Sequence, residues 1–501
     1  MATEIELKFD LEPQSRRKLA AATALAGTNP RRTTMRSLYF DTPDRSLAKR
    51  EMALRLRREG RRWVQTLKAG HSGTGGLHDR DEWEHVRPGP TLDLSLLEET
   101  PLARLAGPKD LQERLGPVFE VRVTRTTWRV APEPGSRLEV AFDSGEVASG
   151  EKTAPICEVE IECLEGDPAR AFDLAAKLMQ EVELHPSAIS KAQRGYRLSH
   201  GGPLQPVKSS KVELHPSITT VEAARVVIGA GIEQLQANEE GVLAGDDPEF
   251  VHQARVALRR SRSAIRMFRQ EIGESRAREW LDALGETSRA LGRARDWDVF
   301  ATRSIPAVLA AFADASLSRS IRAKAARRRG IERDKAREAL RSPRYAAALL
   351  EIARWLARAD GAQAPQAAPE ALMDFAARYV RKRQKGLLGG ALALSTMGIQ
   401  DRHRVRILAK RLRYGLEALS TLYKARPLEA YLASVESLQE ALGNGNDASV
   451  ALEMLKEIAP PEPFASYARG WFAARERVDA AMLEPIVVDL SRHRQSWLKE
   501  A

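Results

Sequence analysis

The chain has 501 residues, 43% of them hydrophobic, and a formal net charge of +11; at roughly 150 residues per domain this means several folded domains and excludes a disordered basic tail. Met1-Ala2-Thr3-Glu4 opens no basic-then-apolar leader, and no apolar run approaches the ~18 residues of a membrane span, so neither a signal peptide nor a transmembrane helix is expected. Residues 1–200 hold 31 Lys+Arg against 31 Asp+Glu, whereas 251–450 hold 38 against 21, so the two parts are expected to meet different partners.

In chain order, short alternating segments predict strands at Glu4–Phe9, Met52–Arg58, Trp63–Lys68, Asp81–Val86, Val118–Val130, Leu138–Phe142 and Ile156–Leu164. Helical patterns lie near 13–25 and over Asp167–Glu183, the latter stopping before Pro186. Cys157 and Cys163 share one strand, roughly 20 Å apart at ~3.3 Å per residue, which is too far for a disulfide. Reduced thiols without a targeting signal point to the cytoplasm, and two Cys with nine scattered His offer no thiolate metal site. Gly, Pro and Ser crowd 199–210, so residues 201–216 are read as a linker between a domain at 1–200 and another at 217–501. VELHPS occurs at 182–187 and again at 212–217, and is read as helix-entry chemistry only.

From about 218 onward the pattern is helical, with a softer break at Gly361–Pro369. An internal repeat organises it: His252, Arg255, Arg259, Arg260 and Arg262 recur 151 residues later as His403, Arg406, Lys410, Arg411 and Arg413. Leu291-Gly292, Asp296 and Val299 recur at the same offset as Leu442-Gly443, Asp447 and Val450. One offset across separate motifs predicts a duplicated helical bundle, with copies at about 217–360 and 370–501.

The strands of the first part carry charge on one face. In Glu4-Ile5-Glu6-Leu7-Lys8 the charged side chains alternate with apolar ones, and the same holds for Arg55-Leu56-Arg57, Thr66-Leu67-Lys68, Asp81-Glu82-Trp83-Glu84 and Glu158-Val159-Glu160-Ile161-Glu162. A single such strand is most simply a solvated face. Five of them, sorted into acidic pairs and basic positions, fit a closed barrel with a charged lumen whose outer apolar face is covered by the helices. Paired carboxylates suit a hard cation such as Mg²⁺ or Mn²⁺, and interleaved Arg and Lys suit a polyanion and the charge that builds up during phosphoryl transfer, without a Gly-rich phosphate loop.

Glu4-x-Glu6-x-Lys8, the Arg55/Arg57 and Lys68 strands, Glu82/Glu84, the Ile156–Glu162 strand and Ser190-Lys191…Gly195-Tyr196 together resemble the CYTH domains, or triphosphate tunnel metalloenzymes. The resemblance implies an eight-stranded antiparallel tunnel that hydrolyses triphosphates with a divalent metal. It implies that Glu4, Glu6, Glu158 and Glu160 hold metal, that Lys8, Arg55, Arg57, Lys68, Arg125 and Lys191 grip phosphates, and that Glu4, Glu6 and Lys8 act in catalysis. Three positions stay open. Arg125 shares strand parity with Val121 and Val123 while Arg122 lies opposite, so either a bulge re-aims the strand or Arg125 is not lumenal. Arg194 is a helix-surface cation or a ligand, and Asp143 a turn residue or a supporting acid.

In the second part His252, Arg255, Arg259, Arg262 and Arg266 form one helical stripe beside an apolar one, and 403, 406, 410 and 413 repeat it. A charge run is ordinarily solvated, but like charges at i,i+3/i+4 destabilise a lone helix, so their retention in both copies suggests a polyanion. The stripes contain almost no aromatics besides Tyr414, which favours a phosphate chain over nucleic acid. Val251-His252…Arg255…Arg259-Arg260, Leu291-Gly292…Arg295-Asp296-Trp297-Asp298-Val299, His403…Arg413-Tyr414 and Leu438-Gln439…Leu442-Gly443 resemble the CHAD domain. That resemblance implies two pseudo-symmetric four-helix bundles around a basic channel for inorganic polyphosphate. The second copy departs from the first at Asn444-Gly445-Asn446 and Ser449.

The expectation is thus a multi-domain α+β protein of the cytoplasm, associated with polyphosphate granules: a metal-dependent inorganic triphosphatase acting on tripolyphosphate, tethered to a polyphosphate-binding helical domain. The alternative is a polyphosphate-binding, granule-associated protein whose tunnel is catalytically weak or inactive. Neither a membrane nor a nucleic acid is an expected partner, and no base-recognition feature is legible.

Overall fold

A computed structural model of the protein describes residues 2–70, 74–104, 111, 113–312, 314–358, 370–391, 394, 397–481 and 483–492. The alternating segments form β1 (Ala2–Leu11), β2 (Arg31–Asp41), β3 (Met52–Glu59), β4 (Arg62–Ala69), β5 (Leu77–Arg87), β6 (Gly116–Val130), β7 (Arg137–Ser149), β8 (Lys152–Glu165) and the short β9 (Leu184–Pro186). They pair antiparallel in the order β5-β4-β3-β2-β6-β7-β8-β1, and pairing of β1 with β5, from Ala2↔Glu82 to Leu7↔Leu77, closes a ring of eight. β9 continues the same edge of β1, with Phe9 opposite Pro186.

The sheet departs from the sequence reading at β2 and β7, among other places. No predicted strand corresponds to β2. Its lumenal residues Thr33, Met35, Ser37 and Tyr39 are mixed in polarity, and Arg32, Thr34, Arg36, Leu38 and Phe40 opposite are mixed too, so neither face reads as apolar. β7 runs on to Ser149, which makes Asp143 an interior strand residue and not a turn residue.

Outward-facing Leu7, Phe9, Leu138, Val140, Phe142, Val159 and Ile161 form one buried cluster with Leu19 of α1 (Arg16–Ala20) and Phe172, Ala175 and Leu178 of α2 (Ala169–Glu181). Each large apolar side chain buried there contributes ~1.5–3 kcal/mol. One end of the lumen is itself filled: Met35, Tyr39, Phe119, Val121, Val123, Val147 and Ile156 pack around Ala192 of α3 (Lys191–His200). A capping box of Ser190 and Gln193 starts α3. Gly195 then lets it approach so closely that a Cβ there would stand 2.1 Å from the Phe119 ring. Cap and glycine together fix Lys191 at the first turn, where the lumen begins.

The longer helices that follow are α4 (Thr220–Ala244), α5 (Pro248–Met267), α6 (Glu274–Val299), α7 (Ala315–Leu340), α8 (Pro343–Leu356), α9 (Leu372–Ala391), α10 (Ile399–Ala418), α11 (Ala425–Ile458), α12 (Glu462–Ala481) and α13 (Leu483–Arg492). Starts at Thr220, Pro248 and Glu274 recur at Leu372, Ile399 and Ala425, displaced by 152, 151 and 151 residues. The offset seen in the motifs is therefore an offset of whole helices. Thr219 with Glu222 caps α4, and Asp247 caps α5 with Pro248 in its first turn. Among the described residues no helix is long and apolar enough to cross a membrane.

The chain divides into two compact units, one of Met1–Gln205 with Arg341–Gln363 and the other of Pro206–Leu340 with Ala364–Ala501. The stretch read as a linker is without helix or strand, and from 206 it counts with the helical unit. There the Val207 N–H donates to Asn238 Oδ1 at 3.0 Å and the Leu214 N–H to Thr421 Oγ1 at 2.9 Å. Helix α8, read from sequence as the end of the first helical copy, belongs instead to the barrel's unit. Its Leu350 and Ala353 complete the outer apolar cluster, and Arg354 donates to Asp173 at 2.8 Å. The break at 361–369 lies outside the described residues.

Candidate functional site

The lumen holds a cavity of about 1070 Å³. It is charged because strand alternation that sends Leu7 and Phe9 outward turns Glu6 and Lys8 inward, and the same rule brings in Arg55 and Arg57 from β3, Lys68 from β4, Arg125 from β6 and Glu160 from β8. Glu4 occupies the β1 position opposite Arg80; its side chain lies outside the described residues.

At the centre, Lys191 Nζ lies 2.7 Å from Asp143, 2.5 Å from Glu158 and 2.6 Å from Glu160. Lys8 Nζ donates to Glu158 at 2.7 Å. Arg125 donates twice to Asp143, at 2.8 and 2.6 Å, and also to Glu160. Further along, Lys68 and Arg55 lie 2.9 and 3.6 Å from Glu82, and Arg57 lies 3.1 Å from Glu84. Arg194 stands 3.2 Å from Asp10 and 3.9 Å from Glu158, so it reaches the site from its edge.

Arg125 faces the lumen without a bulge, since its register with β7 is continuous from Glu120 to Val130. The alternatives framed from sequence assumed that Val121 and Val123 mark the outside of the barrel. They are interior residues of the apolar plug. Arg122 lies on the outer face with Glu120 at 2.8 Å and Glu146 at 3.6 Å.

The electrostatics follow from this interleaving. Burial alone would discharge Lys191 and Arg125, but Asp143 with Glu158 and Glu160 raises Lys191 well above the ordinary range, and Asp143 with Glu160 does so for Arg125. Against burial, Lys191 and Arg125 hold Glu160 far below its usual value and Asp143 below its own. Glu6 behaves oppositely: burial, then the Glu160 charge, pushes its carboxyl up to about 7.

Carboxylate oxygens of Asp143, Glu158 and Glu160 lie within 4.8 Å of one another. Glu158 Oε2 is buried without a hydrogen-bond partner. Three hard oxygen donors and an unsatisfied buried carboxylate oxygen fit a hard divalent cation. Asp143 is the member that sequence reasoning left undecided. The signal available was parity, because Leu138, Val140 and Phe142 point outward and residue 143 must point in if the strand continues.

In the helical unit α5 packs on α10 and brings Arg255, Arg259, Arg406 and Lys410 together around Tyr414, Asp296 and Asp447. The Arg259 guanidinium stands over the Tyr414 ring, 5.0 Å from its centroid. Gly292 and Gly443 lie beside the equivalent arginines: nitrogens of Arg255 and Arg406 stand 3.8 and 4.0 Å from where a Cβ would be, at ordinary contact distance. Burial and then its neighbours Arg406, Arg259 and Arg255 press Lys410 down to about 7. His252 is lowered by burial and Arg295, and Arg262 and Arg266 by burial and other arginines. The Nε atoms of Arg259, Arg262 and Arg406 and Nδ1 of His252 are buried without hydrogen-bond partners.

Other members of the predicted stripe are differently engaged. Arg413 is held by Glu417 and Glu436, both at 2.7 Å, and Arg260 lies 3.6 Å from Glu417 and donates to Ser209. Arg411 neighbours Arg266, and His403 stands one turn before Arg406 on α10. Asp298 is wholly buried and accepts from Arg329 and Arg333 at 2.6 and 2.9 Å, a structural pairing.

Comparisons with known proteins agree with this geometry. Family models match a CYTH domain over residues 2–196 and a CHAD domain over residues 226–456. The inorganic triphosphatase of Haemophilus influenzae is 36% identical over 208 residues, 40% of this chain and 55% of that protein. The chain thus spans about half the length of this curated relative. The crystal structure of the CHAD domain from the plant Ricinus communis is 30% identical, covers 57% of this chain and 96% of its own, and superposes with a TM-score of 0.51. A closed antiparallel tunnel followed by a duplicated helical array, each matched by its own family model, identifies the chain as a member of the CYTH–CHAD proteins.

Proposed function

We propose that the tunnel hydrolyses tripolyphosphate with Mg²⁺ or Mn²⁺, and that the helical domain binds inorganic polyphosphate. One observation carries the first half: three mutually close carboxylates stand beside a lumen lined by Lys8, Arg55, Arg57, Lys68, Arg125 and Lys191. The inorganic triphosphatase from H. influenzae supports the same reading. Asp143, Glu158 and Glu160 would hold the metal, with Glu6 and Glu4 completing the set. Bound there, a divalent cation would polarise the terminal phosphoryl group and favour attack by water.

The rest is done by the chain itself. Lys8, Arg55, Arg57, Lys68, Arg125 and Lys191 bind phosphate oxygens and align the substrate along the lumen, and their fixed charges offset charge that builds up as the phosphoanhydride breaks. The acids keep these cations ordered before substrate arrives, so binding exchanges carboxylate partners for phosphate ones. The apolar plug around Phe119 and Ala192 excludes water from one end of the lumen.

Support for polyphosphate in the helical unit is electrostatic. Burial and then neighbouring arginines lower Arg259, Arg406 and Lys410, whereas acids hold Lys191 and Arg125 of the tunnel charged, so an incoming polyanion would offset a standing cost in the helical unit. His252, Arg255, Arg259, Arg262, Arg266, His403, Arg406, Lys410 and Arg411 would meet the phosphates, with Arg260 and Arg413 contributing by releasing Glu417. This chemistry also suits association with polyphosphate granules in the cytoplasm.

The deciding assay is phosphate release from tripolyphosphate by the full chain, with and without Mg²⁺ or Mn²⁺. Turnover is expected only with metal, and is expected to fall more than a hundredfold in Glu4→Ala with Glu6→Ala. Absent turnover would refute the enzyme and leave a polyphosphate binder, whereas metal-independent turnover, or full activity in the double variant, would refute the metal-dependent mechanism built on these glutamates. Long polyphosphate should bind that inactive variant and weaken as salt rises; equal competition by duplex DNA at matched charge would remove the polyphosphate assignment.

A further inference from the structure

Helix α8 comes from the C-terminal half of the sequence, yet what it touches in the barrel's unit bears on Lys8. Ser342 caps it, Pro343 occupies its first turn, and Tyr345, Leu349, Leu350 and Ala353 are all buried. The Tyr345 ring meets His185 of β9 edge-on, with centroids 6.2 Å apart. Helix α8 also packs closely on the turn that leads into β5. A Cβ on Gly75 would stand 2.7 Å from Ala353 Cβ and 2.8 Å from the Leu349 carbonyl oxygen. A Cβ on Gly76 would stand 2.7 Å from the Lys8 carbonyl oxygen and 3.0 Å from Pro186 Cβ. Two glycines at φ +67° and +86° therefore form a single layer of backbone between α8 and the Lys8 peptide.

Both backbone polar groups of Lys8 are held by the segments α8 covers. The Lys8 N–H donates to the Gly76 carbonyl at 2.7 Å, and the Ser187 N–H, just past β9, donates to the Lys8 carbonyl at 2.8 Å. The same run from β9 reaches the Ser190 cap and Lys191, whose ammonium shares Glu158 with Lys8.

We propose that α8 is a positioning clamp for the tunnel: by pressing the Gly75–Gly76 turn and β9 onto the one edge of β1 to which the Lys8 N–H and carbonyl both point, it sets the place of Lys8 and, through β9, of Lys191. The working tunnel then consists of residues 1–205 together with 343–356, and a C-terminal cut at residue 200 removes part of it. The catalytic arm of this inference rests on the proposed triphosphatase activity. A misplacement of ~1 Å in a positioned group costs on the order of 10²-fold in rate, so a partial release should cost about tenfold.

The test uses the full chain and two turn glycines of similar conformation. Gly60, at φ +59°, has nothing within 4 Å of a would-be Cβ, so Gly60→Ala carries left-handed strain alone; Gly75→Ala adds collision with α8. Gly75→Ala is expected to lower kcat/KM for tripolyphosphate about tenfold relative to Gly60→Ala and to speed hydrogen exchange of the Lys8 amide by a similar factor. Combining it with Ala353→Gly, which removes one of the two colliding atoms, should recover part of both. Equal behaviour of the two alanine variants overturns the clamp.

Native-state hydrogen exchange of the parent in low denaturant gives a reading that needs no variant to fold. The Lys8 amide and the α8 amides should open as one unit. Exchange of α8 while Lys8 stays protected, or of Lys8 while α8 stays protected, overturns the proposal. Exchange is read without substrate, so a parent that fails to turn over tripolyphosphate sinks the activity and leaves the clamp to be decided by exchange alone.

Discussion

Glu6→Gln isolates the one tunnel acid whose carboxyl is pushed toward neutrality. Burial and the Glu160 charge raise it from 4.5 to about 7, against the pull of Lys68, Lys8 and Lys191. A folded-state value above the unfolded one means that the folded protein keeps a proton the unfolded chain has released. The resulting stability is fully present below about pH 4.5 and is lost as pH rises through about 7. At ~1.4 kcal/mol per pH unit the full span corresponds to about 3 kcal/mol. The carboxyl borders a cavity of about 1070 Å³ that water can enter, so screening brings the expected effect down to about 1–3 kcal/mol. Glutamine mimics the neutral acid. In metal-free buffer Glu6→Gln should therefore melt with the parent near pH 4.5 and about 2–12 °C above it at pH 8, taking ~2–4 °C per kcal/mol for a unit of this size. Calorimetry of the full chain at a series of pH values, following the barrel's transition, makes the comparison. A variant that melts below the parent at pH 8, or that differs equally at both ends, would refute the reasoning and mean that the surrounding lysines hold Glu6 ionised.

Asp143→Asn removes a buried charge shared by Arg125 and Lys191; it should cost ~3–5 kcal/mol in denaturant unfolding and abolish the rise in melting temperature expected when Mg²⁺ is added to the parent. Gly195→Ala drives a methyl into the Phe119 ring, so α3 should shift at a cost of ~1–3 kcal/mol, with tripolyphosphate turnover falling because Lys191 begins the same helix; unchanged unfolding would mean that α3 is not seated against that ring. Lys410, pressed down to about 7, is largely neutral at pH 8 and should take up a proton when a polyanion binds. Polyphosphate affinity should therefore be higher at pH 6 than at pH 8, and calorimetry in buffers of different ionisation heat should detect proton uptake that disappears in Lys410→Met.

Much of the fold was legible in the sequence, and for definable reasons. Strands with one charged and one apolar face announce themselves by a period of two, and the 151-residue offset of the basic motifs proved to be an offset of helix starts. Glu6, Lys8, Arg55, Arg57, Lys68, Glu158 and Glu160 were readable because each sits on a strand whose opposite face is apolar. β2 was not, since its lumenal Met35 and Tyr39 and its outward Arg32 and Arg36 blur the alternation. Asp143 and Arg125 were ambiguous for a related reason: the lumen has an apolar end as well as a polar one. An inward Val121 or Val123 therefore looks locally like an outward one.

Local pattern therefore determined which residue types alternate, where helices start and that the helical half is duplicated. Which way each face points was decided only when the ring closed through β1 and β5, because inside and outside are properties of a closed surface and not of a strand. The separation of the basic residues into a mutually repelling cluster at Arg255, Arg259, Arg406 and Lys410 and acid-paired flanks at Arg260 and Arg413 likewise depends on how α5 meets α10. So does the membership of α8 in the barrel's unit: its apolar stripe fits a bundle or a sheet equally well, and the two adjacent glycines that receive it lie more than 250 residues away in the chain. Periodicity specifies that a face must be buried, while contacts that distant in sequence choose what buries it.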